Sequence, residues 1–320
     1  MRIRSFIFAA ILLLNLFSCG QPNKEVISQP SFALPYPIVL VVDDVISGRV
    51  LNDLLSNPAG LAVDFEGRIY VVDAGNSRIV RLTSDLIPDR EIGGHGVDAG
   101  LLDRPSFLTF DNGLNFMVSD EGNRRVSRYN SQLNFVDYLS FYDDEDPQKF
   151  GYPSGLAFSD YGEVWIADRD QNRIAVFSNV GKFDRFIGDF GYAGGQLADP
   201  EKIVRNADGD FIVCDAGSSR LVNYDRYGNF SKEIELEDLV YPSALELDDD
   251  KLWVLDGVGN QVVCIDEEGN WLAEAGPTIP GNNTSMKEPS DLLLLPSGRL
   301  LITDSGNNRI LVCRIVYENK

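Results

Sequence analysis

Histidine is almost missing from this chain of 320 residues: His95 is the only one. A zinc site built from several imidazoles is therefore excluded. Cysteine is scarce as well, with four residues at positions 19, 214, 264 and 313. Their spacing fits no zinc motif, and the three after Cys19 are an odd, widely separated set that makes a poor disulfide framework. Each of those three lies in an apolar run and is expected to be a small buried hydrophobe. Basic residues are outnumbered, 28 Lys and Arg against 49 Asp and Glu, giving a formal net charge of −21. Binding to a phosphate backbone needs Lys and Arg clustered on one face, so nucleic acid is excluded as a partner. The Gly-rich pieces GGHG and GYAGG lack the strand–GxxxxGK–helix setting of a phosphate loop, and no GxSxG elbow is present. Beyond Phe6–Phe17 no segment is apolar enough to cross a bilayer, and helical periodicity is absent.

The start, MRIRSFIFAAILLLNLFSCG, sets Arg2 and Arg4 before the run Phe6–Phe17, which is too short to span a membrane. Its end, Leu16–Cys19 (LFSC), resembles the bacterial lipoprotein signal, with Phe17 standing where a smaller residue is usual. The resemblance implies a signal peptide over 1–18, lipidation of Cys19, and a Pro-rich tether over 19–37. Gly20 rather than Asp after the cysteine implies the outer membrane of a Gram-negative cell envelope. The alternative is a secreted product.

What the chain has in quantity is repetition. The hexapeptide DAGNSR (Asp73–Arg78) returns as DEGNRR, DRDQNR, DAGSSR, DGVGNQ and DSGNNR. Its Asp falls at 73, 120, 168, 215, 256 and 304, intervals of 47, 48, 47, 41 and 48. A proline precedes each by about fifteen residues, at Pro58, Pro105, Pro153, Pro200, Pro242 and Pro289. Aligned on the Asp, the column two before it is Val71, Val118, Ile166, Val213, Val254 and Ile302. The column before that is Tyr70, Met117, Trp165, Ile212, Trp253 and Leu301, large and apolar throughout. Short β-type runs separated by turn residues, repeated at this period, predict four-stranded propeller blades that bury their faces only against neighbours. The fold class expected is all-β: a six-bladed β-propeller of four-stranded antiparallel blades over residues 38–320. The sixth copy ends without an outer strand, and Pro37–Leu55 has strand character. It is expected to supply that strand and close the ring.

The pattern P-x-G-L-A…D-x-x-N-x-R resembles the NHL repeat over roughly residues 57–317, with Ser218 and Gln261 departing from it. The hexapeptide reads as scaffold: Asp accepts N–H bonds from the following turn, Gly and Asn supply positive φ, and Arg returns beside Asp. Gln261 fits this, since a neutral donor keeps a loop bond but not a charged site.

In propellers of this type the loops into the innermost strands share a face with the hexapeptides, around the channel mouth. The residues after the prolines are Ala59, Ser106, Ser154, Glu201, Ser243 and Ser290. Glu201, Lys202 and Asp291 break this small, uncharged ring and are ligand candidates, joined by His95, Tyr152 and Tyr241 on the same face. Asp143, Asp144, Glu145 and Asp146 are weak candidates for a metal such as Ca²⁺. Otherwise no cofactor is expected. The leading function is a non-enzymatic binding propeller, tethered to the envelope and presenting its loop-rich face to a protein, peptide or glycan. The alternative is a metal-dependent hydrolase, similar to a lactonase, with carboxylates such as Glu201 and Asp291 at the channel.

Overall fold

The computed structural model describes residues 38–111, 115–140, 150–236, 238–274, 276 and 285–317. The expectations for Cys19, the tether and Asp143, Asp144, Glu145 and Asp146 lie outside these residues. Among the described residues, six four-stranded antiparallel sheets and one small hairpin, Arg49–Val50 with Asp53–Leu54, account for the strands.

From inner to outer strand, blade 1 is Pro58–Val63, Ile69–Asp73, Arg78–Leu82 and Pro88–Gly93. Blade 2 is Pro105–Phe110, Asn115–Asp120, Arg125–Asn130 and Phe135–Leu139. Blade 3 is Pro153–Phe158, Val164–Asp168, Arg173–Phe177 and Phe183–Ile187. Blade 4 is Pro200–Arg205, Phe211–Asp215, Arg220–Tyr224 and Phe230–Glu235. Blade 5 is Pro242–Asp248, Lys251–Asp256, Gln261–Asp266 and Trp271–Glu274. Blade 6 is Leu292–Leu294, Arg299–Asp304 and Arg309–Tyr317, with Ile38–Ser47 outermost. The innermost strands stand side by side in chain order, and that of blade 6 meets that of blade 1.

Closure follows the expectation. Ile38–Ser47 runs antiparallel to Arg309–Tyr317 from Ile38↔Tyr317 to Ser47↔Arg309, with one bulge between Val42 and Asp44. Alternation along a strand decides where side chains go. Ile38, Leu40 and Val42 turn inward and pack on Trp253, Leu255 and Cys264 of blade 5 and on Leu311 and Cys313 of blade 6.

The same alternation explains the two apolar columns. Tyr70 faces blade 2, packing with Phe116 and Val118, whereas Val71 faces blade 6, packing with Leu301 and Ile310. One such cluster occupies each junction between neighbouring blades. Each blade thus needs two neighbours to cover its apolar faces, at about 1.5–3 kcal/mol per fully buried side chain. Cys214, Cys264 and Cys313 are free thiols in these clusters, as expected.

The proline spacing has a direct cause. Pro58 pairs with Asp73, Pro105 with Asp120, Pro153 with Asp168, Pro200 with Asp215 and Pro242 with Asp256. Each of these innermost strands bulges immediately after its proline.

Candidate functional site at the channel mouth

The hexapeptides form the frame of the site. All six of their Asp side chains are fully buried. One carboxylate oxygen accepts Arg Nε: Arg78 to Asp73 at 2.7 Å, Arg125 to Asp120 at 2.8 Å, Arg173 to Asp168 at 3.2 Å, Arg220 to Asp215 at 2.8 Å and Arg309 to Asp304 at 2.5 Å. The other accepts a backbone N–H from the loop entering the innermost strand of the same blade: Ser56, Asp103, Gly151, Ala198 and Lys287. That donor differs from the expected following turn, which supplies N–H groups only at Asp256, from Val258 and Gly259. There Gln261 Nε2 stands 3.5 Å away, and Val240 and Tyr241 donate as well.

Positive φ also falls elsewhere than on the glycine. The fifth residue of every copy is left-handed: Ser77, Arg124, Asn172, Ser219, Asn260 and Asn308, with φ of 52, 51, 52, 52, 58 and 53°. Where that residue is Asn, its Oδ1 accepts the N–H of the residue before the next blade's proline. Asn172 takes Asp199, Asn260 takes Glu288 and Asn308 takes Asn57. These bonds latch successive blades together, so the repeated polar residues serve the scaffold.

Above this frame lies a cavity of about 640 Å³ whose lining includes Ala59, Ser106, Glu201, Ser243 and Ser290 from the post-proline ring. Side chains from blades 2, 3, 4 and 5 form one bonded group beside it. Arg169, on the hexapeptide of blade 3, donates from Nη1 to Glu201 Oε1 at 2.9 Å. Its guanidinium also stands 3.6 Å from Glu121 of blade 2 and 3.7 Å from Asp199 of blade 4. Tyr241, from blade 5, places Oη 2.6 Å from Asp199 Oδ2 and 2.7 Å from Glu201 Oε1. Two such short contacts to carboxylates need two hydrogens, and a phenol carries one. Burial, opposed by the Arg169 charge, raises the Glu201 carboxyl to about 7, so near neutral pH it holds the second hydrogen in about half of the molecules. Burial likewise pushes Glu121 up, and burial together with the Glu201 charge pushes the Tyr241 phenol up.

Deeper in the channel the chemistry changes. Lys202 Nζ contacts Asp291 Oδ1 at 2.7 Å and Glu246 Oε1 at 3.6 Å, and stands 5.7 Å from the centre of the Phe107 ring. Asp291 Oδ2 accepts the N–H of Leu61 at 2.8 Å. This knot ties blades 1, 4, 5 and 6 across the axis. Burial works against the Lys202 ammonium, but Asp291 and Glu246 outweigh it and hold the lysine above its ordinary range. Below the knot a second cavity of about 330 Å³ is lined by Leu61, Phe110, Phe158, Lys202 and Glu246, among others.

Residues 115–288, more than half of the chain, match a family described as 6-bladed beta-propeller. The chain belongs to that family. Residues 55–82 match the NHL repeat. Protein brain tumor of Drosophila melanogaster is 29% identical over 132 residues, 40% of this chain and 13% of that protein. NHL repeat-containing protein 3 of Mus musculus is 27% identical over 230 residues, 62% of this chain and 63% of that protein. The chain therefore spans less than two thirds of either relative. Among solved structures, a streptogramin B lyase superposes with a TM-score of 0.63 at 15% identity, covering 85% of this chain and 98% of the other. A gluconolactonase of Xanthomonas campestris gives 0.63 at 16% identity, covering 87% and 97%. At those identities the likeness is one of fold.

Within this family member, the residues singled out from the sequence separate into three places. Glu201 and Tyr241 meet in the mouth. Lys202 and Asp291 satisfy one another in the knot beneath and do not join Glu201. His95 lies at the rim of the mouth cavity, its side chain 76% exposed, with Nδ1 3.6 Å from Asp103 Oδ1. Tyr152 stacks under the Arg104 guanidinium, 5.4 Å from ring centre to carbon. Among the described residues no three His, Cys, Asp or Glu side chains are grouped so as to hold a metal ion. Sequence reasoning missed Arg169, Glu121 and Asp199. A signal existed: the residue after each repeated Asp is Ala74, Glu121, Arg169, Ala216, Gly257 and Ser305, a small column broken twice by charge.

Proposed function

We propose that this protein is a binding propeller of the bacterial cell envelope, tethered through Cys19, that docks a protein or peptide partner over the mouth of its channel. One observation carries the reading. Glu121, Arg169, Glu201 and Tyr241 converge from four blades on the mouth cavity, with Asp199 bonded at their edge, and these side chains take no part in the bonding repeated from blade to blade. Desolvated charge stabilises a fold poorly beside apolar packing, and clusters of perturbed ionisable groups in a cleft mark functional sites. The entering loops around this mouth are long and dissimilar, which is where binding residues gather on a rigid ring.

The test is crosslinking in living cells with the full chain. A photoreactive residue at Tyr192, exposed on the loop entering blade 4, is compared with one at Tyr227, exposed on the turn at the opposite face. A discrete partner captured from position 192 and lost in an Arg169→Ala background supports the reading. Capture at neither position, or equally at both, sinks it. Loss of membrane fractionation in Cys19→Ala checks the tether, and unchanged fractionation removes that part.

A further inference from the structure

The mouth cavity holds more negative charge than its own cations balance. Its lining carries four carboxylates, Asp103, Glu121, Glu201 and Glu288, against two guanidiniums, Arg104 and Arg169. Arg104 is exposed and lies over the Tyr152 ring. Arg169 is already committed, one guanidinium serving Glu121, Glu201 and Asp199 together. Three acids around a single cation leave negative charge over. Burial works against that charge and raises Glu121 and Glu201 alike, so protons stand in for a missing counter-charge.

Two of these carboxylates also have unused acceptors. Both bonds to Glu201, from Arg169 Nη1 and Tyr241 Oη, fall on Oε1, and Oε2 accepts none among the described residues. Glu121 Oε2 stands 3.6 Å from Arg169 Nη2, too far for a hydrogen bond. The Ser106 hydroxyl beside Glu121 makes no hydrogen bond and so does not fill that place. The side chains of Glu121 and Glu201 are only 10% and 7% exposed, and both line the cavity. Carboxylates desolvated to this degree with acceptors left over are costly and call for a group that the chain does not supply. The knot beneath shows the satisfied case, where Asp291 takes Lys202 Nζ on Oδ1 and the Leu61 N–H on Oδ2.

Building on the reading that a partner docks over this mouth, we propose that the cavity receives a basic side chain of that partner, its cationic head accepted by Glu121 and by Oε2 of Glu201. Both carboxylates meet the same guanidinium, so one further cation reaches both. An ammonium or guanidinium brings charge and N–H donors together, and as it binds Glu201 releases its proton to solvent. An anionic or neutral group would leave the surplus charge in place. A metal ion is the poorer occupant, because Arg169 stands at the focus of the acids. Among the described residues no three His, Cys, Asp or Glu side chains are grouped to ligate one.

The probe is the peptide acetyl-Gly-Gly-Lys-Gly-Gly-amide, titrated into the full chain while the amide shifts of Ser106, Arg169 and Ser243 are followed. Peptides with arginine, norleucine or glutamate at the central position run in parallel. The expected result is saturable binding of the lysine or arginine peptide at millimolar concentration and none of the other two, the tighter of the basic pair identifying the head group. Glu121→Gln and Glu201→Gln should each weaken binding about tenfold or more, the loss of one charge-assisted bond. Asp85→Asn removes a negative charge from an exposed turn on the opposite face and should change binding less than about twofold. Wild type should bind about tenfold more tightly at pH 8 than at pH 6, because Glu201 loses its proton between those values. Glu201→Gln should flatten that dependence while Glu121, Arg169, Asp199, Tyr241 and His95 remain in place around it. Binding of the norleucine peptide as tight as that of the lysine peptide overturns the proposal. So does equal weakening by Asp85→Asn, absence of binding by both basic peptides, or displacement of a bound peptide by Ca²⁺ that shifts the same amides. Capture of a partner from position 192 that persists in the absence of any basic-peptide binding would sink this inference alone and leave the docking reading standing.

Discussion

Replacing Leu40 by alanine tests whether the N-terminal strand closes the ring energetically or merely lies along its edge. Leu40 is fully buried and packs in the cluster that joins blades 5 and 6, with Ile38, Val42, Trp253, Leu255, Leu311 and Cys313. Truncating a buried leucine costs about 2–5 kcal/mol, the transfer of the lost methyl groups plus the cavity left behind. Val39, on the same strand, points the other way and is only partly buried, so Val39→Ala is expected to cost less than about 1 kcal/mol. A large single domain loses about 2 °C of melting temperature per kcal/mol, so Leu40→Ala should melt about 4–10 °C lower and Val39→Ala within about 2 °C of the parent. Calorimetry on the two full-length variants measures this. Hydrogen exchange adds location: in Leu40→Ala the amides of Arg309–Tyr317, which pair with Ile38–Ser47, should lose protection before those of blade 3. Equal melting of the two variants would refute closure as a source of stability, whatever the hydrogen-bond ladder looks like.

Arg220 is 2% exposed, holds Asp215 and Glu233, and donates to the carbonyls of Tyr192 and Gln196. Arg220→Gln, which copies what blade 5 has at Gln261, should therefore cost about 3–5 kcal/mol by thermal melting, since it strands a buried carboxylate. Asp256 escapes that cost through its four backbone donors, so Gln261→Arg should gain little, and a gain above about 2 kcal/mol would contradict the account. Gly155→Ala should be severe, about 3 kcal/mol or more by urea unfolding. Its Cβ would fall 2.1 Å from the Glu201 carbonyl oxygen and 2.7 Å from Lys202 Cα, a clash between the backbones of blades 3 and 4. Gly298→Ala meets nothing within 4 Å and carries only the strain of φ +76°, about 1–2 kcal/mol. Glu201→Gln addresses pH. Burial raises the wild-type carboxyl from 4.5 to about 7, so between those values the folded chain holds a proton that the unfolded chain has lost. That contribution is fully present below about pH 4.5 and disappears as pH rises through about 7, at most about 3 kcal/mol. Urea unfolding at pH 5 and pH 8 should show wild type losing more stability across the interval than Glu201→Gln, and parallel losses would put the proton elsewhere.

How much of this was legible beforehand follows from where each contact lies in the repeat. The spacing of Pro58 to Asp73 is a strand pairing within one blade, so it recurs at fixed offset and shows in the sequence. The apolar columns through Tyr70 and Val71 recur because every blade has the same two neighbours. Closure was legible because the last copy lacks an outer strand. By contrast, Lys202 and Asp291 both stood out as charges in a small column, but their partnership spans blades 4 and 6 across the axis. No offset in the chain encodes a contact across the ring, so two residues that neutralise each other were read as two groups facing a ligand. Arg169 and Glu121 are hidden for the opposite reason: they sit inside the hexapeptide, whose other polar residues serve the scaffold, although several of its positions line the mouth.

Site and scaffold therefore separate by column rather than by loop. A column occupied alike in six blades answers to a neighbour that every blade has, and its polar members are paired within the frame, as the Asp and Arg of the hexapeptide are. A column that is small in most blades and charged in one or two answers to something that the ring does not repeat. Applied to the post-proline column this picks Glu201, and applied to the post-Asp column it picks Glu121 and Arg169. In the column of Arg81 and Val176, which is neither small nor uncharged, Asn223 is exceptional on another ground: its side-chain oxygen is buried without a partner. Lys202 and Asp291 mark the limit of the rule: two exceptional residues on different blades can answer to each other. The decisive check is whether an exceptional residue, once placed in the ring, remains unsatisfied or shares a proton too few. Glu201 with Tyr241, and Asn223, meet that condition, and Lys202 with Asp291 does not.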